Sequence, residues 1–170
     1  MLASILSMLT LWIVKFFEVE QGYVTIVTAF GKVKTLSLPG LNSCFSLWGL
    51  YKKPSKTISV KEQISENPFQ EVYTKDGVKC EVHVIVYFTI TDAEKAVFSV
   101  ENYEAAVNNL CESIIRNGCG EKTARELLAS RTDMASSFRS QLDSGTTAWG
   151  IKVRLVEIKN LKIEQGGGVK

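Results

Sequence analysis

The stretch TKDGVKCEVHVIVYFTITD, residues 74–92, is the most regular in the chain and decides how the rest is read. From Val78 to Ile90 every even position is apolar: Val78, Cys80, Val82, Val84, Val86, Phe88 and Ile90. The odd positions Lys79, Glu81, His83, Tyr87 and Thr89 are polar or amphipathic, with Ile85 the exception. Strict alternation of this kind marks a strand with one buried face. Asp76-Gly77 supplies the turn into it from FQEVYTKDG, residues 69–77. The chain's only histidine, His83, falls on the polar face.

On the N-terminal side, GYVTIVTAFGKVKTL predicts a hairpin within residues 19–36, turning at Gly31. LPGLN, 38–42, is a Pro-Gly turn. SCFSLWGLY, 43–51, is unusually aromatic for a loop and either tucks under a sheet or rests on a bilayer. TISVKEQISEN, 57–67, is a further strand region. On the C-terminal side, Asp92 caps a short helix, AEKAVFSV. A longer helix follows, burying Tyr103, Val107, Leu110, Cys111, Ile114 and Ile115, and Gly118 is expected to end it. Thr123 starts ARELLAS. After Ser130 a helix carries Met134, Phe138 and Leu142 at four-residue steps, and Gly145 is expected to stop it. AWGIKVRLVEIKNLKI, 148–163, reads as a long final strand, with Ile151, Val153 and Leu155 alternating before Val156, Ile158, Leu161 and Ile163. Strands, then helices, then a strand argue for an α+β fold.

The chain of 170 residues is 45% hydrophobic and 22% charged, enough to bury a core. A net charge of +2 with no basic stripe argues against nucleic acid as a partner. Lys52, Lys53, Lys56 and Lys61 form a local basic cluster, suited either to a solvated loop or to anionic lipid. Cys44, Cys80, Cys111 and Cys119 include no C-x-x-C pair, and one histidine does not complete a zinc set. No sequon occurs, and a reducing, cytosol-facing environment is expected. No serine elbow is present, and NGCGEKT, 117–123, lacks phosphate-loop spacing. No spacing ties His83 to a cysteine nucleophile. No catalytic, cofactor-binding or metal-binding residue is predicted.

The chain opens MLASILSMLTLWIVKFFEVEQG, uncharged from Leu2 to Val14. As a helix, residues 1–17 would reach roughly 25 Å, against about 30 Å for a bilayer core. The segment either dips into one leaflet or spans with Lys15 reaching the interface. No basic residue precedes the run and no small-residue cleavage site follows it, which disfavours a signal peptide. Trp12, Phe16 and Phe17 beside Lys15 suit a water–lipid boundary. The residues expected to enter lipid are Leu2, Ile5, Leu6, Leu9, Leu11, Trp12, Ile13, Val14, Phe16 and Phe17.

These pieces together resemble a known family. TKD-x-V, the I-R-N…T…ELL…R stretch and WGI-x-V…VEIK-x-L-x-I occur in the order and spacing of the SPFH (Band 7) domain of stomatins, prohibitins and flotillins, with the likeness strongest to stomatin-like proteins. The resemblance covers residues 18–163. It implies an α+β SPFH domain, a curled antiparallel sheet packed on helices, preceded by the apolar membrane segment 1–17. It implies a non-enzymatic, membrane-anchored scaffold that self-associates into homo-oligomers on the lipid bilayer, organises membrane domains and regulates membrane proteins. The alternative is an adaptor or regulatory subunit of a membrane protease or ion channel. The SPFH domain is expected on the cytosolic side, without cofactors. Cys44 falls near a family palmitoylation position, against the plainer reading of an unmodified loop cysteine.

Two departures stand out. The Ile-Pro-Pro that many stomatins carry is replaced by Ile64-Ser65-Glu66-Asn67-Pro68. Residues 164–170 are a Gly-rich tail in place of the family's coiled-coil region, since Gly166–Gly168 do not propagate a helix. A natural short form and a missing C-terminal part both fit.

Overall fold

The computed structural model describes residues 14–29, 32–45, 53–66 and 70–163. They fall into two compact units, one ending at Lys61 and the other starting at Glu62.

In the first unit, β1 (Val14–Val19) pairs antiparallel with β4 (Gly40–Phe45), with Phe16 opposite Ser43 and Glu18 opposite Leu41. β2 (Tyr23–Ala29) lies between β3 (Lys32–Ser37) and β5 (Lys53–Ser59) in an antiparallel sheet. The expected hairpin is therefore present as β2–β3. Ile26, Val27 and Ile58 are buried, and the hydroxyls of Thr25 and Thr57 meet at 2.8 Å across the β2–β5 pair. The Lys61 ammonium lies 4.9 Å from the Tyr23 ring centroid, a cation–π distance.

The second unit is organised by β8 (Lys79–Ile90). Two short strands, β6 (Gln63–Glu66) and β7 (Gln70–Tyr73), lie along one edge of β8. The long β9 (Ile151–Ile163) lies along the other, and every pairing is antiparallel. Between them run α1 (Ala93–Phe98), α2 (Tyr103–Gly120), α3 (Ala124–Ala129), α4 (Arg131–Thr146) and a 3-10 turn, Thr147–Trp149. α2 packs on β7 and α4, and α4 packs on β9. The even positions of β8 from Cys80 to Ile90 are buried, as the alternation requires. The core also takes Val107, Cys111, Ile114, Ile115 and Cys119 of α2 with Met134, Phe138 and Leu142 of α4. Each fully buried Val, Leu or Phe contributes about 1.5–3 kcal/mol relative to exposure. Of the odd positions on β8, Ile85 is buried and the rest are half-buried.

Helix starts follow local chemistry. Asp92 accepts the Lys95 amide at 3.1 Å, and Asn102 accepts that of Ala105 at 3.1 Å. Thr123 and Glu126 form a reciprocal capping box on α3.

Several expectations are corrected. Neither glycine expected to end a helix does so: α2 continues through Gly118 to Gly120, and α4 continues through Gly145 to Thr146. Both are places where the two helices meet, since a Cβ at Gly118 would overlap the Phe138 ring and one at Gly145 would stand 2.7 Å from Leu110 Cδ2. Leu155 does not face the core. The β8–β9 register moves between Tyr87 and Phe88 and again between His83 and Val84, leaving Arg154 and Lys159 without partners on β8. Each bulge reverses the alternation. Leu155 is 45% exposed while Val156 is 2% exposed. The single curled sheet is replaced, among the described residues, by sheets of two, three and four strands. The helix expected over residues 1–17 does not hold at its end, because Val14–Val19 is strand β1.

Candidate functional site

His83 is the chain's one imidazole. It is half-buried on β8, opposite Asn160 of β9. The thiols of Cys80, Cys111 and Cys119 are buried. Burial raises the Cys80 thiol, and it pushes Cys119 up to about 11, with the nearby Cys80 adding to the effect. Such thiols carry little thiolate at neutral pH and are poor nucleophiles. Among the described residues, no three His, Cys, Asp or Glu side chains gather closely enough to hold a metal.

The motifs behind the resemblance have structural work to do. In TKD, the buried Thr74 hydroxyl accepts the Val78 amide at 3.1 Å and also bonds Asp76. Asp76 then accepts the Ala124 amide with both oxygens, at 3.2 and 3.3 Å. The Lys75 amide donates to the Lys122 carbonyl at 2.9 Å. The turn before β8 is thus pinned to the start of α3. In WGI, Gly150 has φ +69°, and its carbonyl accepts the amides of Thr91 and Asp92 at 2.9 and 3.0 Å. A Cβ there would sit 2.6 Å from the Asp92 carbonyl oxygen. That glycine brings the start of β9 against the end of β8, a close approach open only to a residue without a side chain.

The first unit presents a different kind of surface. On the β1–β4 ribbon, direct partners share a face and alternate residues return to it. Phe16, Glu18, Leu41 and Ser43 therefore lie on one side. Phe16 is 67% exposed and Leu41 76% exposed, and Leu38, just before β4, is 68% exposed. Exposed large apolar side chains grouped like this mark an interaction surface. Cys44 is the register partner of Lys15 on the same ribbon. Of the residues expected to enter lipid, Val14, Phe16 and Phe17 lie on β1; Leu2, Ile5, Leu6, Leu9, Leu11, Trp12 and Ile13 lie outside the described residues, as does Lys52 of the basic cluster. Leu38 and Leu41 were not anticipated. The exposure of Leu41 follows from the β1–β4 pairing, for which a Pro-Gly turn offers no hint. Among the described residues, no helix is long and apolar enough to cross a membrane.

Comparison with known proteins agrees with the motifs. The model of the SPFH domain / Band 7 family matches residues 17–166. The chain is 32% identical over 141 residues to a stomatin homolog of Pyrococcus horikoshii, covering 83% of this chain and 52% of that protein. It is 38% identical over 114 residues to stomatin of Mus musculus, covering 67% of this chain and 38% of the relative. It is 38% identical over 96 residues to stomatin-like protein 3 of Homo sapiens, covering 56% of this chain and 33% of the relative. The chain spans about half the length, or less, of these three relatives. With the match running unbroken through the TKD turn and the WGI strand, the chain belongs to the SPFH domain / Band 7 family.

Proposed function

We propose that this chain is a non-enzymatic, membrane-anchored scaffold whose copies gather on the cytosolic side of a bilayer and regulate proteins embedded there. The observation that carries the reading is the continuity of the apolar leader with the β1–β4 ribbon. The uncharged run Leu2–Val14 leads straight into β1, where Phe16 stands out into solvent beside Leu41. The uncharged run suits lipid by its sequence, and the exposed Phe16 ring of β1 suits the headgroup level. Membership in a family with stomatin relatives supports the same role. The buried thiols, with those of Cys80 and Cys119 raised by burial, favour a scaffold over a catalyst. Lipidation of Cys44 would add a second anchor, since one weak signal alone binds reversibly.

The test is flotation of the full chain with phosphatidylcholine vesicles. The wild-type chain is expected to float. Phe16→Glu/Leu41→Glu is expected to float less, and a chain lacking residues 1–13 least of all. Undiminished flotation of the shortened chain overturns the anchor. Light scattering in mild detergent reads self-association, and a strictly monomeric particle overturns the scaffold. A tag before Met1 that is protected from protease in sealed vesicles would mean that the leader crosses the membrane.

A further inference from the structure

The outer edge of β9 is closed at its ends and open in its middle. β8 pairs with one side of β9 from Ile151 to Ile163, and among the described residues no strand pairs with the other side. α4 caps the ends. Asp143 Oδ1 accepts the Val153 amide at 3.0 Å, the Thr146 hydroxyl donates to the Ile151 carbonyl at 3.3 Å, and Arg131 donates to the Leu161 carbonyl at 3.5 Å. Between those caps, alongside Leu155–Lys159, a groove of about 610 Å³ opens between β9 and α4. Its charged lining is Arg131, Arg139 and Lys159 against a single acid, Glu157. Arg139 and Lys159 are exposed and have no ion pair among the described residues. The half-exposed Leu155 adds an apolar contact at the rim.

An open edge invites another strand, and charge selects which one. β9 carries Lys152, Arg154, Lys159 and Lys162 against Glu157. A second copy of β9 would bring the same excess of positive charge to this edge, which disfavours that pairing. An acidic strand meets opposite charges in the same places. We propose that the α4–β9 groove is a docking site for an extended acidic segment of a partner protein, added as a strand beside Leu155–Lys159. Backbone hydrogen bonds supply affinity, while carboxylates reaching Arg139 and Lys159 and an apolar side chain against Leu155 supply selectivity. The inference stands apart from membrane anchoring, because it uses only the second unit.

The experiment is fluorescence anisotropy with the full chain in non-ionic detergent and three fluorescein-labelled peptides. The first is Glu-Val-Asp-Leu-Glu-Val-Asp, the second replaces every acid with lysine, and the third replaces the central leucine with proline. The acidic peptide is expected to bind. The lysine and proline peptides are expected to bind more weakly by roughly tenfold or more, the loss of one good contact. Arg139→Glu/Lys159→Glu is expected to lose the acidic peptide to a similar extent with an unchanged thermal midpoint, since both side chains are exposed. Arg139→Gln/Lys159→Gln is the milder check and should fall between. Bound peptide should slow amide hydrogen exchange across Leu155–Lys159. Equal binding of the lysine or proline peptide, retention of the acidic peptide by the charge-reversed chain, or protection elsewhere each overturns the proposal. So does displacement of the peptide by phosphatidylserine vesicles through Arg139 and Lys159, which would make the groove a lipid contact.

Discussion

Gly118 of α2 and Phe138 of α4 are fitted to each other, the phenyl ring filling the space that a Cβ at position 118 would take. The relationship is reciprocated further along the pair, where Gly145 of α4 makes room for Leu110 of α2. The helices run antiparallel, and each lends the other a bare stretch of backbone. Two magnitudes compete at Gly118. Alanine gains about 1 kcal/mol in helix propensity, but overpacking costs about 1–3 kcal/mol. Phe138 is 2% exposed and its ring would meet the new Cβ, so overpacking wins. Gly118→Ala is expected to destabilise by about 1–2 kcal/mol in urea unfolding. Gly118→Ala/Phe138→Leu should recover most of the loss. A more stable single variant would show that the ring moves aside freely.

Asp76 makes the β7–β8 turn sensitive to acid. The Thr74 hydroxyl, above all, and then the Ala124 amide hold its carboxyl below the ordinary carboxylate range. A group whose pKa is lower folded than unfolded stabilises fully above the unfolded value of about 3.9. That contribution is lost as pH falls through the lower, folded value. Asp76→Ala is therefore expected to be less stable than wild type at neutral pH and to converge with it in acid. Thermal midpoints at neutral pH and at about pH 2 are the measurement. A gap that persists undiminished in acid would mean that the loss comes from packing.

Gly150→Ala is expected to cost more than Gly118→Ala. Its φ of +69° carries a penalty of about 1–2 kcal/mol for any residue with a Cβ. The new methyl would also press on Asp92, both its carbonyl oxygen at 2.6 Å and its Cβ at 2.7 Å. Since Asp92 caps α1, that helix should loosen with it. Chemical denaturation is expected to show a loss above about 2 kcal/mol. A loss no larger than that of an exposed-site alanine would place the conformational demand elsewhere.

Val84 is fully buried near the centre of β8, paired with Ile158 of β9. Val84→Asp is expected to cost about 3–5 kcal/mol, because it leaves a charge buried without a partner. Val84→Ala, which leaves only a small cavity, should cost less. Equal thermal stability for the aspartate variant would mean that the even face of β8 is not the core face.

Thiol labelling separates buried from reactive cysteines. Cys80, Cys111 and Cys119 are buried, and Cys119 is pushed up to about 11. In the folded chain at neutral pH these three are expected to resist iodoacetamide, and in urea they should label fully. Peptide mapping by mass spectrometry reads each site. Rapid native labelling of Cys119 would reveal opening of the packing of α2 on β7 and α4.

The sequence by itself determined the elements with a local cause. The period-two pattern of β8, the hairpin β2–β3, the caps at Asp92 and Thr123, and the apolar stripes of α2 and α4 each arise from neighbours within a few residues. It also marked the TKD and WGI motifs and the family they belong to. The tertiary structure decided what depends on a partner distant in the chain. Gly118 and Gly145 have the composition of helix ends, and only the approach of α2 to α4 turns them into contact points. Leu155 keeps the strand alternation on paper, yet the bulge at Arg154 against the shorter β8 rotates it outward. Leu41 reads as part of a turn until β1 pairs with it and leaves it facing solvent. Short-range propensity is written residue by residue, whereas register, bulges and helix contacts are set by how two surfaces fit once they meet.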